Sequence, residues 1–223
     1  EPEFITRFHN FLYPQDAAGQ ALLAKNEFTI ITQSLTDKKS AQPKIIAFYR
    51  LEDHGTEVRF AANNVDEKWQ SSSIGRAALK TTLTEVAQTK KITATFPPDT
   101  EVGPFYIEQL GFVGTGAKQE MDKYPRFSME LSTNVQSELR KKSLVDLADL
   151  VLPTGTGATD IVAENLPKAV LQFTLPAEVK AAHEAMETLC KYGYHLTRYL
   201  QIDAKTNKRW YGFEKINSAT SST

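Results

Sequence analysis

The chain has 223 residues, 41% of them hydrophobic and 24% charged, enough apolar material for one generous domain or two small ones. Lys plus Arg is 26 and Asp plus Glu is 27, and a net charge of −1 leaves no bulk attraction to nucleic acid or to an anionic membrane. A single cysteine, Cys190, excludes an internal disulfide, and no stretch approaches the ~20 apolar residues that span a bilayer. Glu1-Pro-Glu-Phe4 has no apolar run of a secretory signal, so a reducing, cytoplasmic setting is the expectation.

Phe4, Ile5, Phe8, Phe11 and Leu12 fall near helical spacing and predict a short helix over 4–12, broken by Tyr13-Pro14. Asp16 is placed to cap a second helix over 17–25. Residues 28–32 and 44–51 are rich in β-branched and aromatic types and read as strands, and Asp53-His54-Gly55 turns the chain into a third strand over 57–63. A polar connection, 64–73, leads to a helix with Ile74, Ala77, Ala78, Leu79, Leu83 and Val86 as its apolar stripe. A strand over 91–96 stops at Pro97-Pro98. A helix over 102–110 ends at Gly111, which suits a left-handed C-terminal position. Strands over 112–116 and 126–131 follow.

Beyond Ser132 the texture changes. Residues 135–152 read as an amphipathic helix, and 153–159 as a flexible loop. Thr154-Gly155-Thr156-Gly157 lacks the Gly-Lys-Ser/Thr ending of a phosphate loop and reads as a linker. Then come a strand (169–175), a helix (177–191) and a hairpin (195–202 with 209–216). The polar tail, 218–223, reads as disordered.

One segment carries chemistry: Asn63-Asn64-Val65-Asp66-Glu67-Lys68-Trp69-Gln70-Ser71-Ser72-Ser73-Ile74-Gly75-Arg76-Ala77. A strand ends, a Gln follows, and small residues open a helix. Small residues let a backbone approach a diphosphate, and the unpaired N–H groups of a helix start point at it with a favourable dipole. Taken alone, the segment reads as a serine-rich cap before an ordinary helix. A second segment, Val102-Gly103-Pro104-Phe105-Tyr106-Ile107-Glu108-Gln109-Leu110-Gly111-Phe112, lies about thirty residues on, after a helix and a strand.

Together, in this order, the two segments resemble the GNAT family of N-acetyltransferases over residues 26–131. The first is similar to the family's pyrophosphate-binding pattern, with serines at Ser71 and Ser73 where glycines are usual. The second is similar to its closing Phe-Tyr and Leu-Gly-Phe signature, with Asp99 in the place of an Asn and Val102 in the place of an Ala. The resemblance implies an α/β, mixed-sheet acyltransferase core with a C-terminal strand-helix-hairpin subdomain. The domains it suggests are 1–133 for acyl-CoA binding, 134–159 for a helix and linker, and 160–223 for the C-terminal α/β subdomain.

It also implies transfer of an acetyl group from acetyl-CoA, as co-substrate, to an amine by direct attack in a ternary complex. Asn64, Val65, Asp66, Gln70, Ser71, Ser72, Ser73, Ile74, Gly75, Arg76, Asp99 and Phe105 would contact the cofactor. Backbone N–H groups of Asn64, Val65 and Asp66, near a strand bulge, would face the oxyanion. Tyr106 would protonate the leaving thiolate. Glu57 is the candidate base on the matching strand, with Asp66, Glu67 and His54 as alternatives, or water.

The histidines have no metal-ligand spacing, so no metal is expected. His183, beside Glu184 and Glu187, reads as part of a solvated face. Cys190, after Met186 and Leu189 on a helix stripe, reads as core. The C-terminal third, with its strand, helix, Gly-aromatic and hairpin, reads as a partial copy of the closing unit. Its Tyr192, Tyr194, Tyr199, Trp210, Tyr211 and Phe213, with Lys205, Lys208 and Arg209, suit a surface for a protein partner. With no clear base and with serines at Ser71 and Ser73, the alternative is a non-catalytic GNAT-like interaction module whose hairpin binds protein or nucleic acid. The family's first strand has no counterpart here, which would leave the 28–32 strand with an open edge. A strand from 169–216 is the expected filling, and residues 134–223 are expected to stay clear of the CoA site.

Overall fold

The computed structural model describes residues 2–12, 17, 20, 27–36, 43–70, 73–98, 102–119, 125–131, 157–203 and 205–215. The chain is mixed α/β and divides into two compact units, Glu1–Thr93 and Ala94–Thr223.

In the first unit, helix α1 (Pro2–Leu12) carries Phe4 and Phe8 one turn apart, and both rings pack on Phe48 with centroids 5.6 and 5.0 Å away. Strands β1 (Glu27–Thr36), β2 (Pro43–Asp53) and β3 (Glu57–Val65) form an antiparallel meander with β2 in the centre. Central placement buries β2 on both faces, which is why Ile46, Ala47, Phe48, Tyr49 and Leu51 form an almost unbroken apolar run. The β2–β3 turn uses Gly55 at φ 84°, and its N–H donates to Asp53 Oδ1 at 2.9 Å. Helix α2 (Ser73–Val86) buries Leu79 and Leu83, and Ala87 follows just after its end. Ala77, expected in that stripe, is exposed, because the buried line runs 79, 83, 87 in steps of four. Strand β4 (Lys91–Phe96) begins parallel to β3, with Glu57, Val58 and Arg59 opposite Lys91, Ile92 and Thr93.

The second unit takes the Ala94–Phe96 end of β4. It continues through a helical turn, α3 (Val102–Pro104), that runs on as a π-helical segment, Phe105–Leu110. Strands β5 (Val113–Gln119) and β6 (Pro125–Leu131) follow, then α4 (Ala158–Ala163), β7 (Lys168–Thr174), α5 (Val179–Lys191), β8 (Tyr194–Asp203) and β9 (Lys208–Lys215). The strand order is β6-β5-β8-β9-β7, all antiparallel. Helix α5 buries Ala182, Ala185, Met186 and Leu189, a stripe at helical spacing. The core beneath it is aromatic: Phe96 and Tyr211 both meet Phe127 edge-on, at 5.5 and 5.8 Å.

Three expectations are corrected. The edge of β1 is not filled from the C-terminal third: among the described residues β1 pairs only with β2, and β7, β8 and β9 sit with β5 in the second unit. The bulge on β3 falls at Ala61, where Arg50 faces Ala62 and Leu51 faces Phe60, and not at Asn64, Val65 or Asp66. Helix α4 lies partly in a stretch read as loop; Asp160 Oδ2 accepts the Gly157 N–H at 2.9 Å and fixes its start. The division suggested at 133/134 runs through the second unit, and the proposed helices over 17–25 and 135–152 fall largely or wholly outside the described residues.

Candidate functional site

In the described part of the β3–α2 connection, three backbone hydrogen bonds and two side chains, Asp66 and Gln70, set the path. The Asp66 N–H donates to Ile46 O on β2 at 2.9 Å, extending the sheet by one bond past Val65. The Asp66 carbonyl accepts from Trp69 and Gln70 at 2.8 and 3.1 Å, and this closes a 3-10 turn over Glu67–Trp69. Asp66 Oδ1 caps that turn by accepting the Lys68 N–H at 3.1 Å. Its Oδ2 is buried and has no hydrogen-bond partner. Gln70 then reaches back, and its Nε2 donates to Val65 O at 3.2 Å. The connection therefore brings Asn64, Val65, Asp66 and Gln70 into one local structure.

Helix α2 opens directly after it, at Ser73. The backbone N–H groups of Ser73, Ile74, Gly75 and Arg76 form its first turn and have no partner within the helix. Gly75 supplies no side chain there, and Arg76, half-buried, adds a positive charge. Ser71, Ser72 and Asp99 lie outside the described residues.

Glu57 does not belong to this group. It stands at the first position of β3, paired with Lys91 at 3.4 Å, while Val65 ends the same strand. At ~3.3 Å per residue, eight steps of strand separate the two by roughly 26 Å. His54 sits in the β2–β3 turn at the Glu57 end, 3.6 Å from Glu52. The carboxylate nearest the helix start in the chain is that of Asp66, or the exposed Glu67.

In the second unit, Tyr106 is 7% exposed and meets Phe112 edge-on at 5.5 Å; Phe105 flanks it at 5.8 Å. Gly111, at φ 84°, turns the chain so that its own N–H and that of Phe112 both donate to Tyr106 O. The expected Gly111 stop is thus present, but the turn before it is wound as a π-helix, a geometry that often accompanies functional sites.

The hairpin aromatics point inward. Tyr194, Tyr199, Tyr211 and Phe213 are buried, Trp210 is half-buried with Nε1 3.3 Å from Gln172 Oε1, and only Tyr192 is a large exposed hydrophobic among the described residues. The expected partner surface gains no support from this: β9 alternates, so Arg209, Tyr211 and Phe213 share its inner face, and only Tyr192, Lys205 and Lys208 of the expected set are exposed. His183 is likewise corrected. Its ring stacks over Phe127 at 6.5 Å, and its Nε2 is buried without a partner. The Cys190 thiol lies 3.5 Å from Met186 Sδ and is pushed up to about 12 by burial, which makes it inert as a nucleophile at neutral pH.

Sequence reasoning missed a set of contacts that no local motif marks. Glu108 on the π-helical segment pairs with Arg198 on β8, and its other oxygen accepts the Tyr199 N–H at 3.0 Å. Tyr199 and Tyr211 both donate to Pro98 O, and Arg209 Nη1 lies 3.0 Å from Tyr199 Oη. Alternation along β9 was the one available signal, since it puts Arg209 on the side of Tyr211.

Among the described residues no group of three or more His, Cys, Asp or Glu could hold a metal ion, and no helix is long and apolar enough to cross a membrane.

No family model matches the sequence, and no curated protein matches it. Several solved structures show a partial likeness. The Ard1 structure from Thermoplasma volcanium is 18% identical, with TM-score 0.35, over 41% of this chain and 64% of that one. The ribosomal-protein-S5-alanine acetyltransferase of Vibrio fischeri is 16% identical, with TM-score 0.38, over 52% and 67%. The ribosomal-protein-S18-alanine N-acetyltransferase of Escherichia coli is 16% identical, with TM-score 0.38, over 58% and 87%. Overlaps this partial and scores this low stand as likenesses alone.

Proposed function

We propose that the chain transfers an acetyl group from acetyl-CoA to an amine. The observation that carries this reading is the β3–α2 connection. A strand end, a capped 3-10 turn with Gln70 folded onto Val65 O, and a helix start at Ser73 follow one another in the order a diphosphate cradle requires. Among the described residues the parallel register of β3 with β4 covers Glu57, Val58 and Arg59, and β3 runs on past it to Val65, where main-chain groups lie beside the connection to α2. Such groups are suited to an extended pantetheine arm and to a developing oxyanion.

The N–H groups of Ser71, Ser72, Ser73, Ile74, Gly75 and Arg76 would hold the diphosphate, with Gln70 beside them. Asn64 and Val65 would supply backbone contacts to the arm, while Asp66, whose N–H and carbonyl are both taken up within the connection, would shape it; by the sequence resemblance alone, Asp99 and Phe105 would complete the cofactor contacts. The amine nitrogen attacks the thioester carbonyl, a C–N bond forms, and the C–S bond breaks. By the same resemblance, the thiolate takes its proton from the Tyr106 phenol as it departs, and the phenolate is reprotonated from water. The amine's own proton leaves to water, or the amine arrives already neutral, because Glu57 sits at the far end of β3. The inward-facing hairpin aromatics leave a hairpin-mediated interaction module without support from burial, and acetyl-CoA binding separates an enzyme from a non-catalytic module.

Steady-state kinetics with acetyl-CoA and an amine panel test the reading. Tyr106→Phe should lower kcat by ~10²–10⁴ with the acetyl-CoA KM little changed. An unchanged kcat, with chemistry shown to be rate-limiting, would assign Tyr106 to packing alone.

A further inference from the structure

The segment that carries Tyr106 is held from both ends by the C-terminal hairpin. Before α3, Pro98 O accepts hydrogen bonds from Tyr199 Oη and Tyr211 Oη. At the start of α3, Gly103 sits against the Tyr199 ring so tightly that a Cβ would lie 2.0 Å from Cε1. On the π-helical segment, two residues past Tyr106, one Glu108 oxygen pairs with Arg198 and the other accepts the Tyr199 N–H. The hairpin is shaped for this grip. The β8–β9 register shifts between Leu196 and Arg198, and Gly212 leaves room for Arg198, whose Cβ stands 2.7 Å from where a Cβ on Gly212 would be. Behind the grip, Arg209 Nη1 lies 3.0 Å from Tyr199 Oη, Arg209 Nε donates to Asn207 Oδ1, and the guanidinium lies 5.6 Å from the centroid of the Tyr199 ring.

A π turn takes more residues per turn than an α turn, so it aims the side chains that follow in a different direction. Here contacts from the hairpin reach Pro98 and Gly103 before the winding and Glu108 within it. We propose that Arg198 and Tyr199 are positioning residues for Tyr106: the Arg198–Glu108 pair and the Tyr199 wedge hold the Phe105–Leu110 segment in its π register and thereby aim the phenol. This rests on the proposed role of Tyr106 in acetyl transfer. It also gives the C-terminal hairpin a part in the chemistry without any contact to cofactor or amine.

The test is a double-mutant cycle joined to a direct probe of the phenol. 3-Fluorotyrosine is placed at position 106 of the full chain, and its ¹⁹F resonance is recorded for the parent, Arg198→Ala and Glu108→Gln. Glu108→Gln keeps the shape and the acceptor for Tyr199 N–H but removes the charge pair, so it serves where Arg198→Ala folds poorly. We expect the resonance to move in both variants. We also expect kcat to fall about tenfold with the acetyl-CoA KM changed less than twofold, partial rescue by Arg198→Lys, and little further loss when Arg198→Ala is added to Tyr106→Phe. A resonance that stays within its linewidth in folded variants overturns the inference. So does full additivity of Arg198→Ala with Tyr106→Phe, because it shows that Arg198 does not act through Tyr106. A parent that binds no acetyl-CoA and acetylates no amine overturns the transfer reading instead, and the resonance still decides whether the grip aims the ring.

Discussion

The two units reach candidate chemistry by different means. In Glu1–Thr93 the candidate cradle is made of main-chain groups: the Asp66 amide on Ile46 O, the 3-10 turn, and the first turn of α2. In Ala94–Thr223 the candidate proton donor is a side chain, aimed by other side chains nearly a hundred residues away in sequence. A cradle of backbone tolerates Ser where Gly is usual, provided the residues stay small, and it leaves a contiguous pattern in the sequence. An aimed phenol depends on distant packing, and it leaves only the short Phe105-Tyr106 mark.

That contrast predicts unequal sensitivity. The largest effect is expected at Gly103. An alanine there must displace the buried Tyr199 ring or the Phe96 ring, and both are fixed by the core. Overpacking of this kind costs about 3 kcal/mol, read as a lowered denaturant midpoint at constant slope. A midpoint within error of the parent would mean that the second unit gives way easily, and the contrast would fail.

A smaller effect is expected at Asp66. Asp66→Ala removes the cap on the 3-10 turn, worth about 1 kcal/mol. It should weaken acetyl-CoA binding more than it lowers stability, because the buried carboxylate also sets the path from β3 to α2. Calorimetric titration beside a thermal melt separates the two. Loss of several kcal/mol of stability with unchanged binding would show Asp66 to be core scaffolding only.

The smallest effect at neutral pH is expected from the buried ionisable groups. Burial pushes the Cys190 thiol up to about 12 and the Tyr49 phenol up to about 12. In the unfolded chain both ionise earlier, so the unfolded state releases protons that the folded state keeps. Stability is therefore level below about 9 and falls as pH rises from there toward 12. Thermal melts between pH 7 and 11 check the sign, and Cys190→Ala should flatten the first part of the decline. Rapid reaction of the native Cys190 thiol with a thiol reagent at pH 8 would contradict its burial.

Much of the fold was legible because it is local. Alternation and β-branched runs gave β2, β3 and β4, and spacing of four gave the Leu79 and Leu83 line of α2. Gly111 was readable as a helix stop because only the left-handed region serves there, and it has φ 84°. Alanine carries little signal, so Ala77 was placed on the wrong side of its helix. The cap that starts α4 is a Gly157 N–H to Asp160 bond, which a Gly-Thr loop conceals. Strand order in the second unit and the Glu108–Arg198 pair are long-range, and no spacing encodes them. The candidate cradle was legible as a string of residues. The exclusion of Glu57 required the direction of β3.

Acetyl-CoA binding tests the central claim most directly. Thermal unfolding of the parent chain and of Gly75→Leu is followed with and without acetyl-CoA at a hundredfold excess over the dissociation constant found by titration. The parent should gain about 2.7 kcal/mol of stability and Gly75→Leu little or none, because its side chain would stand where the diphosphate meets the first turn of α2. Equal stabilisation of the two proteins, or no stabilisation of the parent by any acyl-CoA, would contradict the claim.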